Sequence, residues 1–221
     1  MSSVIEDTSH AFITGSGFLR APEDQRVARA IYELLATGQP APPDEIAERA
    51  GVAVADVEGR LGSWPAIFRD AGGGVTGFWG LASDQVSNHR FDVEGVGTSW
   101  TWCAYDPLFI ARILGATAHV TSQCPVTDIT VRLTVTPEGV RDIEPATATL
   151  SMLSPDRASF DDVITTLCHY ILFFATPEAA LSWTSEQPGT FVVSIDDGFE
   201  IARRMTDSVF GAVLATPRGG R

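Results

Sequence analysis

The sequence predicts an α+β protein: a three-helix, winged-helix-like unit over residues 1–80, then a mixed or antiparallel sheet with packed helices over residues 81–221. Two observations carry this. Up to about residue 61, apolar residues recur at helical spacing between Gly and Pro stops. From about residue 75, short alternating segments take over, joined by links of hairpin length. At 221 residues, 44% hydrophobic and 19% charged, the chain is long and apolar enough to bury a sizeable core.

Each element follows from its residues. Over 24–37, "DQRVARAIYELLAT" sets Val27, Ile31, Leu34 and Leu35 on one face, and Gly38 is a natural stop. Past the "QPAPP" turn, "DEIAERAG" reads as a short helix from Asp44 to Gly51, and "VAVADVEGRL" sets Val54, Val57 and Leu61 on one face. "GSWPAIF", the turn "GGG" and the strand-like "VTGFWGL" complete the order of a winged helix-turn-helix. Its third helix offers Asp56 and Glu58 against Arg60 alone, poor chemistry for a phosphate-lined groove, so the unit is expected to be structural. Beyond it "GFWGLAS", "HRFDVEG", "AHVTSQC", "DITVRLTVTP", "GVRDIEP" and "TATLSML" read as strands, with a hairpin around Pro137–Gly139. Helices are expected at 107–114 before Gly115, from near Phe160, at 177–185 and at 197–210.

Composition removes several function classes. The net charge is −13, and all 15 basic residues are arginine. Without lysine no Schiff base can form, so pyridoxal phosphate chemistry is excluded, and no Walker A loop is possible. His10, His89, His119 and His169 lack the paired spacing of a zinc site. The acidic balance argues against a nucleic-acid partner. "MSSVIEDTSHAFITGSGF" has neither a basic nor an apolar signal region, and the run around "YILFFA" is too short to span a bilayer. A cytoplasmic location, no membrane contact and reduced thiols on all three cysteines are the expectation.

The chemistry concentrates in residues 100–109, "WTWCAYDPLF", where Cys103 and Asp106 stand three residues apart among large aromatics. Asp106 before Pro107 is an ordinary helix start, with Asp as N-cap and Pro at N1. Taken singly, cysteines are more often packing than chemistry. Asp128 reads as a turn residue, and His169 as a core or interface histidine. The functional reading has its own physics. A thiol just outside a helix N-terminus is expected to be acidified by the dipole. A carboxyl walled by tryptophan and tyrosine is expected to hold its proton. Thiol plus proton donor fits two classes. One is acyl transfer by a cysteine nucleophile, with His89 or His169 supplied by the fold as base. The other is capture of a soft metal by two thiolates, with protonation of the ligand that leaves it.

"WTWCAYDPL", then "HVTSQCP", "LTVTPEGVRDIEP" and "CHYILFFATPEAALSW" resemble the organomercurial (alkylmercury) lyase family in order and spacing, over roughly residues 24–210 and most closely from Trp100 to Trp183. The resemblance implies that Cys103 and Cys168 bind mercury, that Asp106 is the catalytic aspartate, and that Cys124 is structural. His169 stands where some members carry a second cysteine. The family cleaves R–Hg bonds to R–H and Hg(II). The resemblance thus implies an organomercurial substrate, free cellular thiols as co-reactant, no tightly bound cofactor, and release of Hg(II) to thiols or to a mercuric reductase. Two rivals remain at this level: a winged-helix regulator with a soft-metal thiolate sensor, which needs a basic recognition face, and a relative repurposed for another thiol-dependent reaction.

Overall fold

The computed structural model describes residues 3–157 and 162–214. Four helices come first: α1 (Ser3–Gly15), α2 (Pro22–Leu35), α3 (Pro43–Ala50) and α4 (Val54–Leu61). The sequence reading did not anticipate α1. It buries Ile5, Thr8, Ser9 and Phe12, a helical spacing in which half the positions are polar. Pro22 and Pro43 open α2 and α3 at positions where a missing N–H costs nothing. Gly51 closes α3 at φ 68°, donating to the carbonyl of Ala47.

The wing is the antiparallel pair β1 (Ile67–Arg69) and β2 (Val75–Phe78). Its turn is held by Asp70 Oδ1, which accepts the N–H of Gly74 at 3.0 Å. The arginines nearest the expected recognition face are occupied within the protein. Arg60 bonds Asp24 at 2.7 Å, and Arg69 bonds Glu58 at 2.8 Å.

The single strand expected at 77–83 is broken. The chain reverses at Trp79 (φ 35°) and Gly80 (φ 100°) and returns as β3 (Leu81–Ala82), antiparallel to β2. An apolar strand pattern hides such a turn; the glycine alone marks it. After β3 come β4 (His89–Val93), β5 (Gly97–Thr101), α5 (Asp106–Leu114), β6 (Ala118–Gln123), β7 (Thr130–Val135) and β8 (Val140–Glu144). The strands form one antiparallel sheet in the order β1-β2-β3-β5-β4-β6-β7-β8, continuous across residue 80. The hairpin at Pro137–Gly139 sets Val135 opposite Val140.

The rest of the chain runs through β9 (Thr149–Leu153), α6 (Val163–Thr166), β10 (Phe173–Phe174), α7 (Pro177–Ser185), β11 (Thr190–Ser194), α8 (Ile195–Val209) and α9 (Gly211–Leu214). Its strands form a second antiparallel sheet, β10-β9-β11. The helix expected from near Phe160 begins outside the described residues. The described helix there is the single turn α6, capped by Asp162, which accepts the N–H of Thr165. Thr176 and Ser194 cap α7 and α8 in the same way. Among the described residues no helix is long and apolar enough to cross a membrane.

What positions the chemistry is α5. Every residue in it except Arg112 is buried, because it packs against β6 and β7 as well as α2 and α8. A helix with apolar residues on all sides belongs inside a core. Its first residue is Asp106.

Candidate active site

Cys103 lies in the link between β5 and α5, and Cys168 lies in the 3₁₀ turn that follows α6. One backbone hydrogen bond clasps the two segments: the N–H of Ala104, next to Cys103, donates to the carbonyl of Ile171 at 3.0 Å. Ile171 in turn donates to the carbonyl of Cys168 at 3.2 Å. The fold therefore brings together thiols that are remote in sequence. One ligand atom from each of Cys103, Asp106 and Cys168 lies within 4.8 Å of the other two, and all three residues are buried.

Asp106 is not the N-cap. Tyr105 holds that position, and no side chain caps α5. The Asp106 carboxyl points back to the loop instead, where Oδ2 accepts the N–H of Cys103 at 2.7 Å. Burial raises its pKa to about 7, although hydrogen bonds from the Cys103 backbone and thiol and the Trp102 backbone pull the other way. The expected rise is present, and at about 7 the group can both take up and release a proton near neutrality. The expectation of an acidified Cys103 does not hold. Desolvation pushes that thiol well above its ordinary range, and its hydrogen bond to Cys168 and the charge of Asp106 add to the rise. Burial outweighs the helix dipole here because a thiolate on a residue only 2% exposed would be poorly solvated. For Cys168 the hydrogen bond from Cys103 lowers the pKa, but burial and the Asp106 charge win and the net shift is upward.

A narrow cavity of about 30 Å³ is lined by two of the three groups, Asp106 and Cys168. Its walls include Phe12 from α1, Trp79 and Gly80 from the β2–β3 turn, Trp102, Tyr105 and Met205 from α8. The sequence pointed to Trp102 and Tyr105 but missed Phe12, Gly80 and Met205. The only available signal was Gly80, an isolated glycine in a strand pattern, which marks close backbone approach. The Tyr105 hydroxyl is buried at this wall, with no hydrogen-bond partner among the described residues.

The histidines do not serve the cysteines. His89 is buried with Nδ1 2.8 Å from the Ser122 hydroxyl, and burial lowers its pKa to about 4. His169 is exposed, edge-on to Tyr170, rather than in the core. Neither of these two histidines joins the cluster of Cys103, Asp106 and Cys168. Cys124 is buried at the end of β6, outside the cluster, in a turn where its carbonyl accepts the N–H of Asp128 at 3.0 Å. Asp128 is the turn residue it was read to be, at φ 56°. Replacing Cys124 with serine should cost stability, about 1 kcal/mol or more for a buried polar exchange, while the folded fraction keeps whatever activity the three-residue cluster supports. Denaturant unfolding alongside an activity assay checks both halves.

The raised Asp106 pKa carries a stability consequence whose sign is fixed. Its folded value, about 7, lies above the ordinary value near 3.9, so the fold binds the proton more tightly than the unfolded chain does. That contribution is complete below about pH 4 and is lost as pH rises through about 7, at roughly 1.4 kcal/mol per unit crossed. Asp106→Asn should therefore gain stability relative to wild type between pH 4.5 and pH 8. Unfolding curves of both proteins at the two pH values measure this, and an unchanged gap would show that the carboxylate ionises there without penalty.

Two buried thiols beside a protonatable carboxyl, on an α+β frame, define the class: a thiol-dependent protein built to handle a soft metal. A model of the MerB, alkylmercury lyase, family matches residues 82–207. The alkylmercury lyase of Streptomyces lividans is 37% identical over 181 residues, covering 82% of each chain, and that of Staphylococcus epidermidis is 36% identical over 177 residues, covering 80% of each. The fold is similar to that in the crystal structure of the mercury-bound form of MerB2, with TM-score 0.72 at 18% identity, covering 90% of this chain and 99% of that one. The chain belongs to the alkylmercury lyase family.

Proposed function

We propose that the protein cleaves carbon–mercury bonds by protonolysis, with Cys103 and Cys168 as the mercury ligands and Asp106 as the proton carrier. The observation that carries this is the convergence of two buried thiols and a carboxyl poised near neutrality within 4.8 Å. Both thiols hold their protons in the resting site, and those protons are the ones the reaction needs. One Cys–SH replaces the small thiolate on an incoming R–Hg–SR′, forming R–Hg–S–Cys and releasing R′SH. The second thiol then bonds mercury while its proton passes to the Asp106 carboxylate. Neutral Asp106 delivers that proton to carbon, and the electron pair of the C–Hg bond forms R–H. Hg(II) stays on two thiolates, and Asp106 is a carboxylate again. An acid with pKa near the working pH suits both halves of this relay.

The aromatic and apolar wall accepts a hydrocarbon group and keeps bulk water from competing for mercury. No tightly bound cofactor enters the scheme. Free thiols deliver the mercurial and carry Hg(II) away, or pass it to a mercuric reductase, in a reducing compartment such as the cytoplasm, where all three cysteines remain free thiols. The test is headspace detection of benzene from phenylmercury, or methane from methylmercury, with protein and excess thiol. Hydrocarbon release dependent on the protein is the expected result. Stoichiometric Hg(II) binding with no hydrocarbon would leave a mercury-binding protein.

A further inference from the structure

We infer that Tyr105 is a specificity-determining residue: its buried hydroxyl is the hydrogen-bond donor for an uncharged oxygen acceptor, such as an ether or ketone, on the organic group of the mercurial. The inference rests on the lyase reading and narrows its substrate class.

The fold fixes the ring and leaves its hydroxyl over. Tyr105 is the N-cap residue of α5, at φ −78° and ψ −34°. Phe109, one turn along the same helix, packs on it with centroids 5.5 Å apart. Phe12 of α1 packs on it as well, at 4.4 Å. Held by rings from two helices and only 1% exposed, the side chain has little room to swing its hydroxyl towards a partner elsewhere. That hydroxyl is buried with no hydrogen-bond partner among the described residues. The residue nevertheless lines the cavity, and its phenol lies within electrostatic reach of Asp106 and Cys103. Oδ2 of Asp106 is taken up by the Cys103 N–H instead. The hydroxyls of Thr8, Ser16 and Thr149 also lack a partner among the described residues, but none of them lines this cavity.

Core packing explains the ring but not the hydroxyl. Phenylalanine would fill the same space against Phe12 and Phe109 without burying an unpaired polar group, which is costly. The surroundings decide what the hydroxyl can bind. A phenol keeps its proton at neutral pH, so it donates. Phe12, Phe109, Leu167 and Met205 make the wall apolar. A charged oxygen such as a carboxylate would be desolvated there and repelled by Asp106 whenever that group is ionised, so the acceptor is a neutral oxygen. The cavity, about 30 Å³, has room for little more than a water, so an organic group must enlarge it and press on its walls. A purely hydrocarbon group then leaves the hydroxyl unpaired. A group with an ether or ketone oxygen in reach pairs it, and is preferred for that reason.

The test compares the full chain with Tyr105→Phe, in excess thiol, on paired arylmercurials. 3- and 4-methoxyphenylmercury are set against 3- and 4-ethylphenylmercury, in which a methylene replaces the ether oxygen. Release of anisole or ethylbenzene gives kcat/KM for each. The intrinsic reactivity of an aryl group is common to both proteins, so the quantity read is the wild-type preference for methoxy over ethyl divided by the variant's. The expected value is roughly 5- to 10-fold at one ring position or both, the worth of one neutral hydrogen bond. Values within about twofold of unity at both positions overturn the inference. The melting temperature without substrate is a second readout. Loss of an unpaired hydroxyl should leave it unchanged or raise it. A fall of several degrees would show that the hydroxyl is already bonded in the resting protein, and overturns the inference as well. A wild type that releases no hydrocarbon from any of these mercurials sinks the lyase reading instead, so the two failures are distinguishable.

Discussion

Asp106→Asn should fold, bind inorganic Hg(II) through Cys103 and Cys168, and turn over phenylmercury more slowly by roughly two to four powers of ten, the usual worth of a positioned general acid. Asparagine is the discriminating choice because it keeps the shape and can still accept the Cys103 N–H that Oδ2 now accepts. It cannot carry the proton. Helix capping does not confound the result, since Asp106 caps nothing and Tyr105 occupies the N-cap. Single-turnover release of benzene, with Hg(II) stoichiometry measured on the same preparation, separates chemistry from binding. Turnover within a few-fold of wild type would mean that a thiol or water protonates the carbon.

The second large effect concerns Cys168. Cys168→Ala leaves Cys103 as a lone ligand, and the gain from holding the second thiol in place is lost. Affinity for Hg(II) should fall roughly 10²- to 10⁴-fold, the range lost when two linked contacts become one. Competition against a small dithiol measures this, because such a competitor offers the two-coordinate sulfur site that the variant lacks. Hydrocarbon release should fall with it, since one sulfur donates less electron density to the carbon that must take up the proton. Wild-type affinity in Cys168→Ala would place the second ligand elsewhere and dissolve the dithiolate site. The fold should tolerate the change, because the clasp from Ala104 to Ile171 is made by backbone atoms.

Much of the site was legible in the sequence, and the reason is local. Cys103 and Asp106 are close in the chain, so a loop entering a helix at Pro107 must hold them near each other. The pairing with Cys168 was not local; only the resemblance in order and spacing supplied it, and the Ala104–Ile171 bond shows how the fold achieves it. Tertiary packing reversed two expectations. The helix dipole favoured an acidic Cys103, but a thiol 2% exposed is governed by desolvation. The segment "GFWGLAS" read as one strand, but Gly80 lets the main chain turn back on Asp106. The segments β5, β10 and β11 escaped notice for simple reasons. β5 carries a single large apolar residue, β10 has two residues, and β11 is half-buried along most of its length, with no alternation to read.

The clasp between Ala104 and Ile171 also settles when the entropy of assembling the metal site is lost. In an unfolded chain, joining the sulfurs of Cys103 and Cys168 through one ion means closing a loop of about 65 residues, against an entropic cost of roughly 4 kcal/mol. In the native protein that loop is already closed, by a peptide hydrogen bond rather than by the metal. With Cys103 and Cys168 as the proposed ligands, Hg(II) meets a site whose ordering took place during folding, and should bind the native chain more tightly than the unfolded one by about that margin. Mercury affinity becomes a reading of whether the chain is folded, and a cell that unfolds the protein loosens the ion's second anchor in the same event.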